Sequence, residues 1–226
     1  MSFIEPYTQS ELRPEYVGES LRLKPLLATA WGRALVAGIL VGTMPVVLVS
    51  WIYFDQQLLG KSNEQEIAQW AFLRSIGILG DALPWLCVSG SFILIGFLCK
   101  RRDIVAWAGF ACLSIALSGV VVNLVKFIFM RNRPNWQGVI PDGGSFAFPS
   151  GHASTICAVA TVLILRWPKI FPVALVLVAL VAMNRIVSLN HHLTDVIVGV
   201  VLGLVSTFVV QWCWWKYNPG TFADME

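Results

Sequence analysis

The stretch Lys126-Phe-Ile-Phe-Met-Arg-Asn-Arg-Pro134 is the first of three polar clusters that interrupt an otherwise apolar chain. The second is Phe148-Pro-Ser-Gly-His152, and the third is Asn184-Arg-Ile-Val-Ser-Leu-Asn-His-His-Leu-Thr-Asp195. All three histidines of the chain lie in the last two clusters, beside cations that membrane spans normally exclude. Because ionisable groups at membrane depth are costly and generally face a polar cavity, the three clusters are candidates for one functional site.

The composition around the clusters is that of a membrane protein. The 226 residues are 57% hydrophobic and 13% charged, and the mean hydropathy is +0.71. The net charge of +3 is too small and too scattered to predict a nucleic-acid partner. The five cysteines lie in apolar runs without a C-x-x-C pair, so they predict neither a disulfide framework nor a zinc site.

The apolar runs predict an all-α fold, an integral membrane bundle of six transmembrane helices. The runs cover residues 34–54, 82–99, 104–125, 150–166, 170–187 and 194–214, and about twenty apolar residues cross a hydrocarbon core of roughly 30 Å. Between the first two spans, residues 55–81 mix charges with apolar positions three and four apart, which predicts an amphipathic helix at the interface. We expect the first run to be a retained anchor, because it begins well away from Met1.

The placement of Lys and Arg predicts the orientation of the bundle. With both termini in the cytoplasm, residues 1–33 form a cytoplasmic or interfacial segment, 34–215 the membrane domain and 216–226 a cytoplasmic tail. Ten of the sixteen cations then lie inside, and four of the other six, Lys126, Arg131, Arg133 and Arg185, belong to the polar clusters. The ten are Arg13, Arg22, Lys24, Arg33, Lys100, Arg101, Arg102, Arg166, Lys169 and Lys216. All three clusters are therefore expected on the outer face.

The spacing of the clusters resembles the three-part signature of the type-2 phosphatidic acid phosphatase family, K-x6-R-P, then P-S-G-H, then S-R-x5-H-x3-D. The matching residues are Lys126, Arg133, Pro134, Pro149, Ser150, Gly151, His152, Arg185, His191 and Asp195. Asn184 stands where the family pattern has Ser. Because asparagine keeps hydrogen-bonding capacity, we expect tuning rather than loss of function. The resemblance covers about residues 30–215 and implies a membrane-embedded lipid phosphatase.

The cations and the Ser-Gly pair predict a phosphate site. Lys126 and Arg133 are seven residues apart, so they share a helix face if the third helix continues to Arg133. Arg185 would join them from the end of the fifth span, where its planar guanidinium group suits two phosphate oxygens. Ser150 is the predicted N-cap of the fourth helix, and Gly151 lets the backbone amides there approach an anion.

The histidines predict the chemistry. His191 and Asp195 are four residues apart at the start of the sixth helix, so the carboxylate is expected to fix the tautomer of the imidazole. The resemblance implies that His191 is the nucleophile that forms a phosphohistidine. It also implies that His152 protonates the leaving alkoxide and then activates water.

Other polar residues near the clusters are expected to be peripheral. Motif spacing selects His191 over His192, for which we expect a structural or rim role. Arg131 and Asn132 fall in the variable part of the first motif, so we expect rim positions and little effect of Arg131→Ala. The loop that contains Asp142 is expected to cover the pocket.

Together these residues predict an enzyme of the bacterial inner membrane that needs no metal or other cofactor, with its active site on the periplasmic or outer face. Three cations beside the histidines repel a metal ion and attract an anion. The candidate substrates are phosphatidic acid, phosphatidylglycerol phosphate, isoprenyl diphosphates and lipid A phosphates; the partners are membrane lipids, and the oligomeric state is open. Two alternatives use the same residues, a lipid phosphotransferase and a non-catalytic lipid-phosphate binding or transport protein.

Overall fold

The computed structural model describes residues 26–56, 75–134 and 146–217. In these ranges the chain forms six α-helices and no strand, which confirms the all-α prediction for them. The helices are α1 Ala30–Val49, α2 Ala82–Leu98, α3 Arg102–Phe129, α4 Gly151–Arg166, α5 Phe171–Val187 and α6 Leu193–Tyr217. A π-helical turn, Ser50–Asp55, extends α1, and 3-10 turns precede α1, α2 and α5 at Leu26–Ala28, Gly77–Gly80 and Pro168–Ile170.

Four helical segments are long and apolar enough to cross a membrane. They are Ala30–Asp55, Arg102–Phe129, Pro168–Val187 and Leu193–Trp214. Helices α2 and α4 are apolar but shorter. The helices predicted from the apolar runs are therefore present, whereas six complete membrane crossings stay a prediction.

Helix α4 lies at the centre of the bundle, because α3, α5 and α6 all pack against it. Every residue from Ala153 to Val162 is buried as a result. The backbones of α4 and α6 approach each other closely, since a Cβ atom at Gly199 would lie 2.4 Å from the Ser150 carbonyl oxygen. A Cβ atom at Gly203 would lie 2.2 Å from the Ser154 carbonyl oxygen. This glycine pair, spaced four residues apart, is the small-residue pattern that lets membrane helices pack closely.

The outward faces of α1, α2, α3 and α5 carry large exposed apolar side chains, among them Val41, Met44, Phe97, Leu124, Val173 and Val176. Contiguous apolar surface of this kind is unfavourable in water and favourable against lipid tails. The bundle therefore has the surface of an integral membrane protein.

The two ends of the bundle differ in charge. At one end, Asp55 contacts Thr194, Asp81 contacts His152, and the Ser150 amide donates to the Asp195 carbonyl. These contacts define the site end of the bundle. It contains the C-termini of α1, α3 and α5 and the N-termini of α2, α4 and α6. The cations of the opposite end are Arg33, Lys100, Arg101, Arg102, Arg166, Lys169 and Lys216.

Two sequence-based expectations about element bounds were wrong. Helix α3 ends at Phe129 and does not continue to Arg133, because Met130 adopts the left-handed conformation with φ of 44°. Asp55 was expected in the interfacial segment, but it lies in the π-helical turn that extends α1. Near its C-terminal end the predicted interfacial helix is replaced by the 3-10 turn Gly77–Gly80. Residues 57–74 of that prediction lie outside the described residues, as do 1–25, the loop that contains Asp142 and the end of the tail.

Candidate active site

The three polar clusters converge at one end of the bundle. Lys126 lies in the last turn of α3 and Arg185 in the last turn of α5, and Arg133 lies beyond the end of α3. Each of these three cations is within electrostatic range of the other two. The predicted grouping of the three cations is therefore present. Arg133 does not share a helix face with Lys126, because the non-helical segment between Met130 and Pro134 places it in the group. Gathering three cations costs electrostatic free energy that a bound anion would offset.

Arg133 and Arg185 are both half-buried. Arg133 donates from Nη1 to the Asn190 side-chain oxygen over 3.2 Å. Burial lowers the pKa of Arg133, but an arginine remains charged in proteins. The buried Nε atom of Arg185 has no hydrogen-bond partner among the described residues. An unpaired charged donor in a buried position is costly unless a ligand accepts from it.

The His191 imidazole is almost fully buried, with 2% of its surface exposed. Its Nδ1 atom lies 2.7 Å from the Ala147 carbonyl oxygen, so Nδ1 carries the proton and donates. The Nε2 atom is then the nitrogen left for attack. Burial lowers the pKa of His191 and outweighs the opposing effect of Asp195, so the imidazole is neutral at pH 7.

Asp195 supports His191 differently from the sequence-based expectation. The Asp195 Oδ2 atom lies 3.7 Å from His191 Nδ1, which is an ion-pair distance rather than a hydrogen bond. The Ala147 carbonyl therefore fixes the tautomer, and Asp195 contributes negative charge behind the ring. The carboxylate is fully buried and accepts from Arg131 Nη1 over 2.7 Å and from the His192 amide over 2.8 Å.

The start of α4 completes the site. Ser150 accepts from the Ala153 amide over 3.5 Å and has the extended backbone of an N-cap, as predicted. Among the described residues, a Cβ atom at Gly151 would meet Val122 alone, at 3.7 Å. These residues therefore leave space in front of Gly151 for a ligand that approaches the helix amides. His152, one residue on, contacts Asp81 Oδ1 through Nε2 at 2.9 Å.

Sequence reasoning placed Arg131 wrongly and missed two carboxylates. Arg131 is not a rim residue, since only 15% of its side chain is exposed and it pairs with both Asp55 and Asp195. Asp55 and Asp81 carried a signal that could have found them, because an acid beside an apolar run is a functional candidate. His192 is buried, which agrees with a structural role and not with a rim role, and Asn132 is exposed.

The presence of Asn184 in place of the serine of the family pattern has a steric explanation. Asn184 is buried at the end of α5, and a Cβ atom at Gly77 would lie 2.9 Å from its side-chain oxygen. The turn before α2 therefore leaves room for a side chain longer than serine, because residue 77 has none.

Comparison with known proteins identifies the family of this chain. Residues 107–219, which contain all three clusters, match the PAP2 superfamily. A lipid A 1-phosphatase of Rhizobium etli is 31% identical over 81% of this chain and 93% of its own length. A decaprenylphosphoryl-5-phosphoribose phosphatase of Mycobacterium tuberculosis is 33% identical over 50% of this chain and 61% of its own length.

A solved structure shares the fold. The transmembrane PAP2-type phosphatidylglycerolphosphate phosphatase of Bacillus subtilis superposes with a TM-score of 0.54, covering 86% of this chain and 98% of its own, at 21% identity. The fold and the site thus define a helical membrane phosphatase. The chain belongs to the PAP2 superfamily, and it is a lipid phosphatase of that family.

Proposed function

We propose that this protein hydrolyses a membrane lipid phosphate or diphosphate through a phosphohistidine on His191, without a metal ion. The observation that carries the proposal is the grouping of Lys126, Arg133 and Arg185 with a buried neutral imidazole whose Nε2 atom carries no proton. Fixed cations stabilise the charge that develops on a transferring phosphoryl group. Pure binding of an anion would need the cations alone.

The reaction would take place in two steps. In the first step, His191 Nε2 forms a bond to phosphorus while the bond to the lipid oxygen breaks and His152 donates a proton to that oxygen. The Ala147 carbonyl accepts from Nδ1 and stabilises the imidazolium that results. In the second step, water attacks phosphorus and gives a proton to His152. The bond to His191 then breaks and inorganic phosphate leaves.

The assigned residues follow from these roles. His152, His191 and Asp195 are the proposed catalytic residues, and no metal is assigned. The proposed phosphate-binding residues are Lys126, Arg133, Ser150, Gly151 and Arg185. Ser150 contributes by capping the helix whose first amides face the phosphate.

The topology is proposed from the charge asymmetry of the bundle. Seven described cations lie at the end opposite the site, and an excess of Lys and Arg marks the cytoplasmic side. We therefore place both termini in the cytoplasm, six spans within 34–215, and the site on the outer face of a bacterial inner membrane. Residues 1–33 and 216–226 would be the cytoplasmic segments. A lipid could then keep its tail in the bilayer while its phosphate enters between the helices.

Phosphate release from purified protein in detergent tests the proposed function. The substrates are phosphatidic acid, phosphatidylglycerol phosphate, an isoprenyl diphosphate and lipid A, each with EDTA present. We expect inorganic phosphate from at least one of them at a rate that EDTA does not change. Transfer of the phosphate to a second lipid would assign a phosphotransferase. Binding without release from any substrate would overturn the proposal and favour a carrier.

A further inference from the structure

A second group of buried charges lies behind the catalytic residues. The Asp55 carboxylate, with 1% of its surface exposed, accepts from Arg131 Nη2 over 2.9 Å. Arg131 Nη1 donates to Asp195 Oδ1 over 2.7 Å and to the Thr194 hydroxyl over 2.6 Å. The Thr194 hydroxyl in turn donates to Asp55. One guanidinium group therefore bridges two buried carboxylates from α6 and from the end of α1.

The bridge is fixed from its other sides as well. The Arg131 guanidinium lies over the Trp51 ring at 4.2 Å, and the Arg131 carbonyl accepts from the Ala147 amide over 2.7 Å. Ala147 is the residue whose carbonyl holds His191 Nδ1. Arg131 therefore contacts both supports of the nucleophile, the Asp195 carboxylate directly and the Ala147 backbone through one hydrogen bond.

We propose that Asp55 and Arg131 form a positioning pair, which holds the Asp195 carboxylate behind His191 and leaves one net negative charge there. Neither residue is a fixed position of the motif, and neither touches the reacting atoms. The proposal rests on the proposed function, since it assigns these residues to the support of that nucleophile.

The charges explain why both members of the pair are present. Burial removes water from the Asp195 carboxylate, which destabilises its charge, and the ion pair with Arg131 offsets this desolvation cost. If Arg131 paired with Asp195 alone, the two charges would cancel and little negative charge would act on His191. Asp55 balances Arg131, so the group of three keeps one net negative charge. The other charged groups that act on His191, Arg185 and Arg133, are positive, so this negative charge is what stabilises an imidazolium there.

The test is a pair of single variants and their combination, assayed for kcat and KM. In Arg131→Gln, two buried carboxylates remain without their cation and repel each other, which displaces Asp195 from its place behind His191. We expect kcat to fall about a hundredfold at pH 7 and KM to change by about twofold at most. Adding Asp55→Asn removes the repulsion. The double variant should therefore be about tenfold more active at pH 7 than Arg131→Gln.

A rescue of this kind distinguishes positioning by charge from a structural anchor. Asp103→Asn is the matched control, because Asp103 pairs with Arg101 at the opposite end of α3 and should not rescue Arg131→Gln. A double variant no more active than Arg131→Gln would overturn the proposal. A loss of folded Arg131→Gln protein that Asp55→Asn fails to restore would also overturn it. Phosphate release by the unmodified protein tests the proposed function separately.

An independent observation concerns the proposed proton donor. Asp81 Oδ1 lies 2.9 Å from His152 Nε2, and the Asp81 side chain is 48% exposed. The contact is possible because Gly80 packs directly on His152, where a Cβ atom would lie 2.6 Å from the His152 Cβ atom. A leaving oxygen that shares the single Nε2 proton with Asp81 would lie within about 4 Å of the carboxylate oxygen, because both N–H···O angles must exceed about 120°.

From this geometry we infer that Asp81 is a specificity-determining residue for the leaving group. A carboxylate at that distance accepts hydrogen bonds from hydroxyl groups and repels negative charge. Asp81 therefore favours lipid monophosphates whose leaving group is a neutral sugar or polyol. It disfavours diphosphates, whose leaving group is itself an anionic phosphate. This second inference also rests on the proposed function, because it assumes that His152 protonates the leaving oxygen.

The ratio of kcat/KM for an isoprenyl diphosphate to that for phosphatidic acid, whose leaving group diacylglycerol is neutral, tests the inference. We expect Asp81→Asn to raise this ratio about tenfold, the size expected of one partly screened charge pair. Asp103→Asn should leave the ratio unchanged. A ratio that does not rise, or an Asp81→Asn protein that does not fold, would overturn the assignment. Absence of turnover in the unmodified protein would instead contradict the proposed function.

Discussion

His191→Asn is expected to abolish phosphate release, with kcat lower by on the order of 10⁴ or more. Asparagine keeps a hydrogen-bond donor for the Ala147 carbonyl, so the local fold should persist. It has no nitrogen that can attack phosphorus, and the cations that remain cannot replace a nucleophile. Binding of the lipid should change little, because the phosphate-binding residues are intact. The measurement is phosphate release together with lipid binding in the same detergent.

The matched control is the same substitution at the next residue. His192 is buried, and its amide, not its ring, contacts Asp195. His192→Asn should therefore keep kcat within about tenfold of the unmodified protein. Equal losses in the two variants, or near-normal turnover in His191→Asn, would remove the assignment of the nucleophile.

Gly199→Ala and Gly203→Ala are expected to lose both stability and activity. The added methyl groups would meet backbone carbonyls of α4 at 2.4 Å and 2.2 Å, and backbone cannot move aside as a side chain can. Helices α4 and α6 must separate, at a cost of about 1–3 kcal/mol for each substitution. The clash at Gly199 falls on Ser150, whose amide donates to the Asp195 carbonyl over 2.9 Å. A displacement of about 1 Å there would lower kcat about a hundredfold.

Gly119→Ala is the control for these substitutions. A Cβ atom at Gly119, in α3, meets none of the described residues within 4 Å, so the same change should leave activity intact and stability unchanged or slightly raised. Thermal unfolding and phosphate release in detergent measure both effects. Similar Tm values for Gly119→Ala and Gly203→Ala would contradict the close packing of α4 on α6.

Much of the architecture could be predicted from local sequence. The apolar runs mark the six helices because each span must be apolar and must satisfy its own backbone. The motif spacing identifies Lys126, His152, Arg185 and His191 as one group, and the structure brings them together. Ser150 is predictable as a cap because the preference of serine for that position is local.

The contacts that could not be predicted are those made across the bundle. Met130 carries no sequence signal for the left-handed conformation that ends α3, since glycine or asparagine is usual there. The role of the Ala147 carbonyl depends on backbone position and not on residue type. The sequence predicts a rim position for Arg131, because its partner Asp55 is seventy-six positions away in sequence and only the fold brings the two together. Pairings of this range come from packing, which a single sequence does not encode locally.

The most direct measurement is an acid-free quench of the protein with a lipid substrate labelled in its terminal phosphate. We predict label on the protein that is stable to base and lost in acid, located by mass spectrometry at Nε2 of His191 and absent from His191→Asn. Turnover at the normal rate with no label on the protein, or label on another residue, would contradict the account.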